Sequence, residues 1–182
     1  MSDELIDIVD ENNNLTEEQR MKSEAHKNGL WHRSAHIWIY NSKGEVLLQL
    51  RANKKELWPS TWDLSVAGHI GAGEEPIISA LREIQEEIGL NVEEKDLELF
   101  EIEPEKSIFK EMVNNEFHYV YLLKYDGDIN GLKIQEEELQ KIEFIPVETV
   151  KKELLENPEK YCQHEGGYWE EMLNAIEDKL KK

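Results

Sequence analysis

One stretch constrains this chain more than any other: from Gly68 to Leu90 it reads GHIGAGEEPIISALREIQEEIGL. A glycine-rich loop leads into a segment bounded by Pro76 and Gly89, residues that suit the first helical turn and the position just past a helix end. At about 100° per residue, Ile77, Ala80, Leu81, Ile84 and Ile88 fall on one face. That stripe predicts a helix from about Pro76 to Ile88 lying on a core. Glu83, Glu86 and Glu87 stand at i, i+3 and i+4 and share another face, about a third of a turn away. Like charges so spaced weaken an isolated helix by tenths of a kcal/mol per pair. A hard divalent cation would offset the repulsion, because Mg²⁺ takes oxygen ligands and is shared between carboxylates and substrate phosphates. Three glutamates alone, however, read more often as a solvated acidic face.

The wider spacing changes that balance. The stretch satisfies a pattern of Gly, five residues, Glu, seven residues, then Arg-Glu-apolar-X-Glu-Glu-X-Gly-apolar, matched by Gly68, Glu74, Arg82, Glu83, Ile84, Glu86, Glu87, Gly89 and Leu90. By chance this arises in roughly one window in 10⁹ at ordinary residue frequencies. It resembles the Nudix box in full. The resemblance implies an α+β fold, the Nudix α/β/α sandwich with a mixed sheet, in which the box is a loop-helix-loop. It implies divalent metal, Mg²⁺ or Mn²⁺, on Glu83, Glu86 and Glu87, with the backbone of Gly68 as a further contact. It implies a structural brace between Glu74 and Arg82, and hydrolysis of a diphosphate linkage in a nucleoside diphosphate-X or nucleotide.

The flanks, HRSAHIWIYNSKGEVLLQLRANKKELWPSTWDLSVAGHI, resemble the isopentenyl-diphosphate isomerase branch of Nudix proteins. Shared features are the NxKG turn, the Arg51 and Lys55 pair, the Trp58-Pro59…Trp62 stretch, Gly68-His69 and a later Asn-Glu at Asn115-Glu116. The likeness spans about residues 25 to 125. In the isomerases a cysteine immediately precedes Gly-His; here that position is Ala67, which carries no proton. Isomerisation is therefore the rival reading, opposed by Ala67. A catalytically silent metabolite-binding protein is a third, opposed by the complete glutamate set. The resemblance also points to Arg51 and Lys55 as diphosphate contacts and to Glu116 as a ligand or general base outside the box. His26, His32 and His69 echo the isomerase metal site and read as its vestige, a second metal site, substrate contacts or hydrogen-bonded structural histidines. Imidazole suits Zn²⁺ or Mn²⁺ better than Mg²⁺. His36 reads as structural, and His118 and His164 carry no spacing signal. Trp58 and Trp62 read as loop packing.

Composition bounds the partners. The 182 residues carry 21 Lys+Arg against 40 Asp+Glu, a formal charge of −19. A surface this negative repels nucleic acid and anionic membranes. No run approaches the roughly 18 apolar residues of a membrane span. The single cysteine, Cys162, excludes an intrachain disulfide and fits a reducing cytoplasm. The acidic start, MSDELIDIVDENNN, is unlike a secretory signal. The length predicts one domain over residues 1–182 with an N-terminal strand and helix extension over 1–30, acting on a small diphosphate and with room for a homodimer.

Elsewhere the pattern predicts strands at Glu4 to Val9, His36 to Tyr40, Glu45 to Leu50, Leu64 to Ala67, Leu97 to Glu103, Glu116 to Lys124 and Lys141 to Ile145. It predicts helices from Thr16 to about Lys27, Val147 to Glu156 and Gly167 to Lys181, a hairpin around residues 41–44, and a basic loop from Arg51 to Pro59.

Overall fold

Strand β3 (His32–Tyr40) organises the molecule, because its alternation feeds two cores at once. Ala35, Ile37 and Ile39 point to one face of the sheet and join Ala80, Ile84 and Ile88 of helix α2 (Pro76–Ile88). Trp38 and Tyr40 point to the other face and join Tyr168, Trp169, Met172 and Ile176 of helix α4 (Tyr168–Leu180). Helix α3 (Val147–Glu156) adds Val150 to the second core. The result is a sheet sandwiched between helices. The computed structural model describes residues 3–55, 57–109 and 112–181; Glu56, in the basic loop, lies outside the described residues.

The sheet runs β5 (Trp62–Asp63), β4 (Glu45–Arg51), β3, β8 (Met112–Lys124), β7 (Leu97–Phe109). Strand β6 (Val66–His69) pairs with β3, and β9 (Leu139–Pro146) pairs with β4. β3 and β8 are parallel, and the other pairs are antiparallel, so the sheet is mixed. The hairpin around residues 41–44 closes only at Tyr40–Val46. Beyond it the strands part, and β3 takes β6 and β8 as partners while β4 takes β9 and β5.

The N-terminal region departs from the sequence reading. Residues from Thr16 form β2 (Leu15–Met21), paired antiparallel with β1 (Leu5–Val9), and α1 begins only at Lys22 (Lys22–Asn28). Thr16 does not cap a helix. Its hydroxyl donates to the Ile8 carbonyl at 2.8 Å, across the ladder. Asp10 closes the connecting turn by accepting the backbone N–H of Asn12 and of Asn14, both at 2.8 Å. Pairing thus overrides a polar run that has no apolar periodicity of its own.

Candidate active site

Helix α2 places its box residues as its period demands. Glu83 and Glu87 are buried while Glu86 is exposed. Glu83 tucks beneath Gly68, where a Cβ would lie 2.1 Å from the Glu83 carboxyl carbon. Any side chain at position 68 would displace that carboxylate. Burial, and then the Glu83 charge, push Glu87 up to about 8. Its Oε2 has no hydrogen-bond partner among the described residues. A buried carboxylate oxygen without a partner costs free energy unless a cation completes it. Gly89 ends the helix in the left-handed region, φ +68°.

Arg82 reaches further than a single brace. Its guanidinium donates to Glu74 Oε2 at 3.1 Å, to Glu83 Oε1 at 2.7 Å and to Glu86 Oε2 at 3.3 Å. It also donates to the His69 carbonyl at 3.3 Å. One side chain therefore joins the loop, β6 and two of the three glutamates.

The two upstream cations lie in the field of Glu87, each already held by a carboxylate. Arg51 Nη1 donates to Asp63 Oδ2 at 2.9 Å, and Lys55 is bonded to buried Glu138. Burial, then the Arg51 charge, lower Lys55 to about 8. Lys22, at the start of α1, also adds positive potential at Lys55 and at His69. The sequence reading passed over it because no local pattern ties residue 22 to a box 46 or more residues away. Trp62 packs against the second core, with Lys141 Nζ 4.7 Å above its ring.

A second donor set lies on the other face of β6. Ser34 pairs with His69 and Ala35 with Gly68, so His69 projects away from the box helix. There His26 Nε2 is 3.1 Å from His32 Nε2 and 3.3 Å from His69 Nε2. Glu116 Oε1 lies 3.0, 3.3 and 3.5 Å from the Nε2 atoms of His32, His69 and His26. Donors bound to one metal at about 2.0–2.2 Å sit roughly 3.0–3.5 Å apart. Each fixed ring is held from behind: His32 Nδ1 donates to the Leu30 carbonyl at 2.8 Å, and His69 Nδ1 faces Glu4 Oε1 at 3.4 Å. Burial would raise Glu116, but bonds from the three histidines hold it well below the usual carboxylate range.

The same face holds residues without a sequence signal. Even-numbered positions of β3 and β8 bring Ser34, His36 and His118 beside Glu116, and the β7 register adds Glu103 and Glu105. Ser34 Oγ lies 3.1 Å from Glu116 Oε2 and 2.8 Å from His118 Nδ1. His36 stacks on His118 at 3.9 Å and bonds Tyr168 Oη through Nδ1 at 2.9 Å. Burial, then His118 and His164, keep His36 neutral far below its ordinary range. Two-residue spacing from Glu116 was the only signal available for His118, and it needed the strand register to mean anything. Ala67 pairs with His36, so its methyl faces this polar cluster and offers no proton. Cys162 is buried against Thr61 and Asp63, with Thr61 Oγ1 3.1 Å from its Sγ.

The family model described as the NUDIX domain matches residues 30–164. The chain belongs to the Nudix family. It is 35% identical over 126 residues to Nudix hydrolase 3 of Arabidopsis thaliana, covering 68% of this chain and 16% of that one. It is 33% identical over 125 residues to the isopentenyl-diphosphate Delta-isomerase of Serratia proteamaculans, covering 69% and 68%. Against the Nudix hydrolase lin0387 of Listeria innocua it is 39% identical over 87 residues, covering 48% and 52%. The chain thus spans about half, or less, of the length of several curated relatives. In fold it is similar to DR0079 of Deinococcus radiodurans, with a TM-score of 0.70 at 20% identity, covering 95% of this chain and 99% of that one. Among the described residues no helix is long and apolar enough to cross a membrane.

Proposed function

We propose that this Nudix protein is a metal-dependent pyrophosphohydrolase acting on a small diphosphate such as a nucleoside diphosphate-X or nucleotide. The observation that carries the reading is the pair of buried carboxylates Glu83 and Glu87, one against Gly68 and the other with an unpartnered oxygen. This donor set fits a hard cation, which would neutralise phosphate charge and supply an activated water. Glu83, Glu86 and Glu87 would hold it, with the backbone at Gly68. Arg51 and Lys55 bind and orient the diphosphate. Arg82 and Glu74 keep the glutamate face in register. A screen of phosphate release with Mg²⁺ and Mn²⁺ against nucleotide sugars, dinucleotides, nucleoside di- and triphosphates and prenyl diphosphates tests this. Glu87→Gln is expected to lower kcat by orders of magnitude on the best substrate; wild-type turnover in that variant would refute the assignment.

The second donor set fits a softer ion. We assign His26, His32, His69 and Glu116 to a separate Zn²⁺ or Mn²⁺, as the isomerase-like flanks imply. Glu116 then serves as a ligand of that ion rather than as a general base. Metal analysis of protein purified without chelator should find an ion that His32→Ala abolishes and Glu87→Gln leaves in place. Isomerase activity is not expected, since Ala67 stands where a proton carrier is required; conversion of isopentenyl to dimethylallyl diphosphate would overturn this.

A further inference from the structure

Behind Arg51 runs a chain of ionic contacts that the box chemistry does not use. Arg51 spends Nη1 on Asp63 Oδ2 at 2.9 Å and Nη2 on the Leu57 carbonyl at 3.2 Å. Asp63 Oδ1 accepts the Leu64 N–H at 2.9 Å and faces His164 Nε2 at 3.3 Å. His164 Nδ1 in turn lies 3.5 Å from Glu105 Oε2. Positive and negative groups alternate along the chain, and they come from β4, β5, the segment before α4, and β7.

Asp63 is 4% exposed. A carboxylate so buried persists as an anion only where cations and N–H groups replace its water. Arg51, His164 and the Leu64 amide do so. The segment that delivers His164 is itself tied to β5: the Cys162 N–H donates to the Trp62 carbonyl at 2.8 Å. Trp169 Nε1 donates to the Cys162 carbonyl, also at 2.8 Å. His164 is thus held against the strand that carries Asp63.

The consequence falls on Arg51. A guanidinium is a rigid planar fork, and recognition of an anion by two parallel N–H groups needs that plane fixed. Asp63 and Leu57 fix it. Nη1 and Nη2 each carry a second N–H beyond these two bonds, so the partly exposed fork keeps donor capacity beside the box. We propose that Asp63 and His164 are positioning residues that hold the Arg51 fork for the substrate diphosphate, so that the segment before α4 completes the phosphate site. The inference rests on the pyrophosphohydrolase reading above.

Methylenediphosphonate, a non-hydrolysable diphosphate, serves as probe, with affinity measured calorimetrically in Mg²⁺ and kcat measured on the best substrate of the screen. His164→Gln should weaken binding about five- to tenfold while kcat at saturation changes less than about threefold, the mark of a contact equal in ground and transition states. His164→Lys, which restores a cation between Asp63 and Glu105, should recover most of that loss. Arg51→Ala should weaken binding about tenfold or more. Adding His164→Gln to Arg51→Ala should then cost less than about twofold further, because both act through one fork. Thermal melts establish that each variant is folded. Unchanged affinity in His164→Gln alongside a weakened Arg51→Ala overturns this inference alone, as do additive losses in the double variant. Failure of the wild type to bind the probe also overturns it. Full turnover by Glu87→Gln removes the hydrolase reading and this inference with it.

Discussion

Glu87 and Gly68 show how single residues are tuned. Burial and the neighbouring Glu83 push Glu87 up to about 8, so ionising it without metal opposes folding. Glu87→Gln, besides losing turnover, should therefore raise the Tm of the protein in chelator by a few degrees; a lower Tm would refute this cost of burying the carboxylate. Gly68→Ala puts a methyl against the Glu83 carboxyl, which ends a flexible side chain. The fold should survive with a nearly unchanged Tm, while kcat falls about tenfold or more as the carboxylate is displaced. Assay and melt together separate that outcome from simple unfolding. Glu83, Glu86 and Glu87 were legible from sequence because helical spacing is local. Lys22 and His118 were not, since they reach their sites only through pairing of distant segments.

At the scale of elements, α2 is fixed by its stripe and its two ends. Ala80, Ile84 and Ile88 are fully buried against β3 and β6. Ile84→Ala should destabilise by about 2–5 kcal/mol, lowering Tm by roughly 4–20 °C at about 2–4 °C per kcal/mol for a chain of this size. Urea unfolding gives the check, with an unchanged m-value expected. The bounds of α2 and α3 agree with those the sequence predicts, because proline, glycine and apolar periodicity mark them locally. β2 was mistaken for helix because Thr16 and the glutamates after it imitate a helix start. Only the ladder with β1 distinguishes the two, and a ladder is not a local property.

For the whole molecule, the ionic chain makes stability depend on pH. Burial alone would lower His164, yet its bonds to Asp63 and Glu105 raise it from 6.5 to about 9. Its contribution is therefore complete below about pH 6.5 and fades as pH rises through about 9. His36, Glu103 and Tyr168 also border His164, and of these His36 stays neutral. Asp63 and Glu105 are held below the ordinary carboxylate range despite burial, by His164 with Arg51 and by His118 with His164 respectively. Their contribution is present above about pH 4.5 and is lost as pH falls. The stability of chelated protein to denaturant should fall from about pH 4.5 to 8 as Glu87 ionises, and further to about 9 as His164 loses its proton; His164→Gln should flatten the stretch from about pH 6.5 to 9. An identical alkaline limb in that variant would place the titration elsewhere.

The sequence by itself determined the box helix, the spacing of its three glutamates, the mixed α+β character and the family resemblance, because each rests on spacing within one segment. Tertiary structure alone decided that Gly68 and His69 face opposite sides of one short strand. It placed Glu116 at the centre of three histidines from different elements, and His164 against Asp63, 101 residues away. Strand alternation gives each residue only a choice of two faces. Which face is the core, and which strand lies alongside, follows from burying apolar side chains from the whole chain at once.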